Sequence, residues 1–185
     1  MEASMQFKIF AVILAVMFMF NLSLAKDPQY VGADKCKSCH KADKNGAQFK
    51  IWSESKHANA YKSLTSKNAA AKAEAMGVKD PLKDDTCLAC HTTAHGKKNV
   101  DKSYSMEEGV SCEACHGPGG DYKKTKVMKD KKEAQKAGLL VADDKTCANC
   151  HKKDTKGHEN KFTTFENEIK KIAHPVPAES DRRKQ

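Results

Sequence analysis

The chain has 185 residues, 31% of them charged, and 33 Lys and Arg against 24 Asp and Glu give it a formal charge of +9. Beyond residue 25, only 18 of 160 residues are Val, Leu, Ile or Phe, about 11%. So few large apolar groups in so charged a chain cannot offset its conformational entropy, which excludes a fold held by an ordinary hydrophobic core unless something other than protein supplies apolar surface.

Residues 1–25 have the layout of a secretory signal peptide. Lys8 precedes an apolar run from Ile9 to Phe20, and Ser23 and Ala25 are the small residues a signal peptidase needs before its cut. Translation from Met5 would give a more ordinary short leader. The alternative is an uncleaved anchor, but the run is short for a span and is flanked by Lys8 on one side and Asn21 and Ser23 on the other. No cysteine lies near the cut, so a lipid anchor is not indicated. The expected mature chain is residues 26–185, periplasmic or secreted. It reads as one domain, since no Pro/Gly/Ser-rich linker divides it.

All eight cysteines fall in four copies of one pattern: Cys36–Cys39–His40, Cys87–Cys90–His91, Cys112–Cys115–His116 and Cys147–Cys150–His151. Two thiols about one helical turn apart suit the two vinyl groups on one edge of a porphyrin, and the next imidazole can reach the iron from one face. Zinc would need the pairs to combine into four-ligand sites, and neither zinc nor short-range disulfides give a reason for a histidine after every pair. The eight cysteines are therefore expected to hold four haem c groups covalently, with His40, His91, His116 and His151 as the proximal iron ligands. Asp34, Asp84 and Asp143 stand ahead of the first, second and fourth motifs, where they suit N-caps, so each motif is expected to open a short helix.

At about 40 residues per porphyrin, the four macrocycles would form the core the polypeptide lacks and would have to lie close together. Their eight propionates would bring the formal +9 to roughly +1, so nucleic acid is poorly supported as a partner. The basic stretch Lys123 to Lys136 reads first as a solvated face and second as a docking patch for an acidic redox protein.

Helices are expected over Ser53 to Leu64, over the Ala-rich Lys67 to Met76 stopped by Gly77, and over Asp130 to Ala137 ended by Gly138. Phe162, Phe165, Ile169 and Ile172 form one stripe of an amphipathic helix that ends after His174, before Pro175 and Pro177. Residues 180–185 read as a disordered basic tail. There is no convincing strand pattern. The expected fold is mainly α: a small multihaem cytochrome c whose short helices and loops wrap around four closely packed haems, with little or no β.

Four histidines lie outside the motifs, namely His57, His95, His158 and His174, and they are the candidate distal ligands. Met76, Met106 and Met128 are the other axial candidates in the mature chain and read as packing residues. Imidazole without thioether ligation would keep the potentials low. His95 follows His91 by four residues, too few to pass around a porphyrin, so it should serve another haem, a neighbouring chain, or none.

The chain resembles the tetrahaem cytochrome c-554 family (the cytochrome c-552/4 domain) over nearly all the mature sequence. The resemblance is carried by Tyr30-Val31-Gly32-Ala33, by Trp52 with His57 five residues on, by Gly109-Val110-Ser111-Cys112, by Cys115-His116-Gly117-Pro118-Gly119, and by a final Phe-rich helix ending in a histidine. It implies a mainly helical fold with haems stacked in near-contact pairs and electron transfer in the periplasm. It also implies that His57 serves the haem on His151 and His174 the haem on His116. The family usually has a histidine soon after the Gly-Pro-Gly loop for the first haem, whereas here the stretch reads Gly120-Asp121-Tyr122. His95 or His158 is the expected replacement at the His40 haem. The haem on His91 is open on its distal side in the best-known family member, and here its state stays undecided.

Three functions compete. The first is a periplasmic electron carrier working between protein donors and acceptors through mostly bis-histidine haems. The second is a redox enzyme acting on a small nitrogen oxide at an open haem on His91. The third is a filament subunit in which His95 or His158 ligates a neighbour's haem. A membrane surface and further copies of the chain are the other partners considered.

Overall fold

A computed structural model describes residues 27–152, 155, 157–158 and 164–176. The expected signal peptide, Phe162, Pro177 and the expected tail lie outside the described residues.

The described residues are mainly helical and contain no strand; one isolated bridge joins Tyr30 to Val100. The first three motifs lie on short helices, α1 (Asp34–His40), α5 (Asp85–His91) and α6 (Cys112–His116), and the fourth begins on α9 (Asp144–Ala148), which ends before Cys150 and His151. Asp84 caps α5 by accepting from the Thr86 and Cys87 amides, and Asp143 caps α9 in a reciprocal capping box with Thr146. Asp34 does not cap α1. It lies inside the first turn after Ala33, where its charge still suits the positive end of the helix.

Between α1 and α5 come α2 (Gln48–Ser53), α3 (Ala60–Ser63) and α4 (Lys67–Ala75). The expected continuous helix over Ser53 to Leu64 is broken between α2 and α3. The His57 carbonyl there accepts from the Val110 amide of a distant segment at 2.9 Å and from the Ala60 amide at 3.1 Å, the i+3 bond of a turn. Trp52 Nε1 donates to the Val110 carbonyl at 2.9 Å, so Val110 grips the break from both sides. Gly109, at φ +65°, packs directly on this turn; a Cβ there would lie 2.6 Å from the His57 carbonyl oxygen. The Ala-rich α4 forms as expected, with Ser66 accepting from the Ala69 amide. After α6 come α7 (Thr125–Met128) and α8 (Lys131–Lys136), the latter capped by Asp130, and the last helix is α10 (Phe165–Ile172).

The protein-made core is thin. The buried apolar side chains among the described residues are Val31, Ala33, Leu64, Ala73, Leu88, Ala94, Tyr122 and Ala134, half of them alanine. Leu140 is 55% exposed and Val141 62%, while Phe165, Ile169 and Ile172 of α10 are only half-buried. The largest fully buried side chain among the described residues is Glu113, a carboxylate. It accepts from the amides of Val31 (2.9 Å), Gly32 (2.7 Å) and Gly119 (2.6 Å), tying the segment before α1 and the Gly-Pro-Gly loop to α6.

Candidate functional site

The four motifs sit beside one another. The Cys36 and Cys112 thiols perturb each other, Cys36 being pushed up chiefly by Cys112 and then by burial, while Cys36 holds Cys112 down. Burial and then neighbouring Cys90 push Cys150 up to about 12, and burial followed by Cys147 raises Cys115. The first motif therefore adjoins the third, the second adjoins the fourth, and the third meets the fourth, where α6 and α9 also pack together. All eight cysteines are free. Among the described residues no group of three or more His, Cys, Asp or Glu side chains is arranged to hold a metal ion by itself.

Three imidazoles from outside the motifs face three from within them. The His57 ring centre is 6.1 Å from that of His151, His158 is 5.8 Å from His91, and His174 is 6.0 Å from His116. Two rings at this separation are too far apart for a direct hydrogen bond. With metal–imidazole nitrogen bonds of about 2 Å, however, rings on opposite sides of one metal ion stand about 6 Å apart.

Each facing histidine is carried by an identifiable contact. His57 sits in the turn gripped by Val110. His158 follows Gly157, whose carbonyl accepts from Lys72 of α4 and whose Cα abuts the Met76 sulfur. His174 lies two residues beyond α10, which stops at Ile172 before an extended Ala173 rather than running to His174 as expected, and the next residue, Pro175, accepts from the Gln48 side chain at 2.9 Å. Burial lowers the pKa of all three, helped by the partner ring in each case, so all three favour the neutral form that can ligate a metal.

The motif histidines are oriented from their other nitrogen. His91 Nδ1 donates to the Ala60 carbonyl at 2.7 Å and His116 Nδ1 to the Leu140 carbonyl at 3.1 Å. A carbonyl only accepts, so the proton is on Nδ1 and the Nε2 lone pair is free for a metal. His40 Nδ1 has Gln48 Oε1 at 3.3 Å. These acceptors, like Glu113, escape sequence reasoning: two are main-chain carbonyls, and Gln48 and Glu113 belong to no recognised pattern.

The remaining candidate, His95, is placed elsewhere. Its Nε2 lies 2.7 Å from Asp85 Oδ1, and no described imidazole faces it. Beside His158 a cavity of about 800 Å³ is lined by Lys72, Ala75, Met76, Val78, Thr86 and Gly157.

The residues present fit haem: paired thiols, facing neutral imidazoles, Nδ1 acceptors behind them, and half-exposed apolar groups around them. A helical chain that brings such motifs together in this way is a c-type cytochrome. The chain belongs to the cytochrome c-554 family. The family described as "Cytochrome c554 and c-prime" matches residues 35–117, which span the first three motifs. Cytochrome c-554 of Nitrosomonas europaea is 33% identical over 168 residues, covering 80% of this chain and 69% of that protein. No solved structure matches. Membership makes the chain a haem protein and an electron carrier. No helix among the described residues is long and apolar enough to cross a membrane.

Proposed function

We propose that the chain carries four haem c groups and passes single electrons between protein partners in the periplasm, three of its haems being held by two imidazoles each. The observation that carries this reading is the set of three facing imidazole pairs, His57 with His151, His158 with His91 and His174 with His116, at 5.8 to 6.1 Å. Haem supplies the redox chemistry when bound. The chain's own residues fix the spacing of the groups, orient the imidazoles through their Nδ1 acceptors and cover the macrocycle faces. The contacts of the first motif with the third, the third with the fourth and the fourth with the second favour a continuous electron path. The lysines from Lys123 to Lys136 are solvent-exposed, which suits either a solvated face or a transient acidic partner.

His158 opposite His91 favours the carrier over an enzyme with its open iron at His91. It also removes one of the two histidines a filament contact would use, and His95 is engaged by Asp85. Chain mass after expression in a host competent for cytochrome c maturation tests the haem count. Three low-spin signals in electron paramagnetic resonance test the imidazole pairs. A product with fewer than four haems, or without three low-spin centres, sinks the corresponding half.

A further inference from the structure

We propose that the haem joined at Cys36 and Cys39 keeps one coordination position open, and that this position takes a small neutral ligand of the carbon monoxide and nitric oxide type. The proposal rests on the four-haem reading above. It differs from the expectation that gave the His40 haem His95 or His158, and from the competing enzyme reading that put an open haem on His91.

All eight histidines are among the described residues, so the assignment proceeds by elimination. Four belong to the motifs, and His57, His158 and His174 face His151, His91 and His116. His95 lies against Asp85, its Nε2 2.7 Å from Oδ1, and no described imidazole faces it. His174 is near enough to His40 to feel its charge, yet its ring faces His116 at 6.0 Å. Met76, Met106 and Tyr122 have places of their own, and Met128 is half-buried at the end of α7. The Met76 sulfur packs against Gly157 in the cavity beside His158, and Met106 is 40% exposed in the turn before Gly109. The buried Tyr122, standing after the Gly-Pro-Gly loop, donates its hydroxyl proton to the Gly117 carbonyl at 2.7 Å.

His40 itself is as well prepared for a metal as His91 and His116. Gln48 Nε2 donates to the Asn45 and Pro175 carbonyls, which fixes the amide so that Oε1 is turned to His40. An oxygen there can only accept, so His40 carries its proton on Nδ1 and presents Nε2 to the iron. The first motif thus has an oriented proximal ligand with no imidazole opposite. Imidazole-bound ferrous haem with one free position favours neutral π-acceptor diatomics, hence the ligand class.

The test uses purified holoprotein whose mass shows four haems, reduced and titrated with carbon monoxide. One equivalent should bind per chain, and the ferrous protein should show the iron–histidine stretching band of a single five-coordinate haem in resonance Raman spectra. Gln48→Leu removes the acceptor from His40 Nδ1 and should shift that band down, while Gln48→Glu strengthens the acceptor and should shift it up. His158→Ala should raise uptake to two equivalents. No uptake by a four-haem protein overturns the proposal, as does one equivalent whose band neither Gln48 variant moves. If one Gln48 variant fails to accumulate, the other still decides. A product lacking haem would instead sink the reading on which the proposal rests.

Discussion

His158 stands with its ring centre 5.8 Å from that of His91, the two planes inclined at 32°. The contact depends on α4, where Lys72 holds the Gly157 carbonyl and Met76 packs on the Gly157 Cα. An Ala-rich helix that looks like filler in the sequence is therefore the platform that sets His158 opposite His91.

If this relationship is a shared iron, His158→Ala should lower the number of low-spin haems from three to two and raise the high-spin signal. His95→Ala should leave the low-spin count at three, because Asp85, and no facing ring, engages that side chain. Electron paramagnetic resonance of the two oxidised holoproteins distinguishes them. A loss of low-spin signal in the His95 variant alone would reverse the assignment.

Glu113 should be a large single contributor to stability among the side chains. Removing its carboxylate leaves the Val31, Gly32 and Gly119 amides buried without acceptors, at about 1–3 kcal/mol for each unsatisfied group. Glu113→Ala should cost about 3 kcal/mol or more, and Glu113→Gln, which keeps one oxygen acceptor, visibly less. Urea unfolding of the holoproteins followed by Soret absorbance gives both values, and equal stabilities for the wild type and the alanine variant would refute the role.

Gly109→Ala should disturb the turn that carries His57. The residue has φ +65°, and a Cβ would meet the His57 and Ala58 carbonyl oxygens at 2.6 and 2.9 Å. Left-handed strain alone costs about 1–3 kcal/mol. Part of the His57 low-spin signal should be lost with it, whereas Gly77→Ala, where a Cβ would meet nothing within 4 Å, should show only the modest strain. Thermal unfolding and resonance spectra of the two variants provide the comparison.

Loss of haem should unfold the chain. With the four cysteine pairs replaced by alanine, far-ultraviolet circular dichroism should show little helix and no cooperative thermal transition, since half of the buried apolar side chains among the described residues are alanines. A sharp transition in that variant would show that the polypeptide makes its own core.

Much of the local structure was legible in advance. Asp84 and Asp143 cap their motif helices as their positions before the first cysteine suggest, and α4 stops where Gly77 predicts. The misreadings share one cause. Asp34 lies inside its helix, and the helix over Ser53 to Leu64 breaks, because contacts from far along the chain outweigh local preference: Glu113 and Glu108 hold the amides of Val31 to Ala33, and Val110 takes the His57 carbonyl.

The sequence by itself determined the four paired-cysteine motifs, the histidine that follows each, and the want of an ordinary core. Each is a matter of composition or of five neighbouring residues, and covalent attachment to adjacent side chains is local chemistry. The family resemblance already implied the partners of His57 and His174; only the tertiary structure set His158 opposite His91 and His95 on Asp85, and left His40 without an opposing imidazole. A ligand pair across one metal depends on two separate segments meeting at a fixed distance. That meeting is arranged by Val110, Lys72, Gln48 and main-chain carbonyls, groups with no signature in the order of residues.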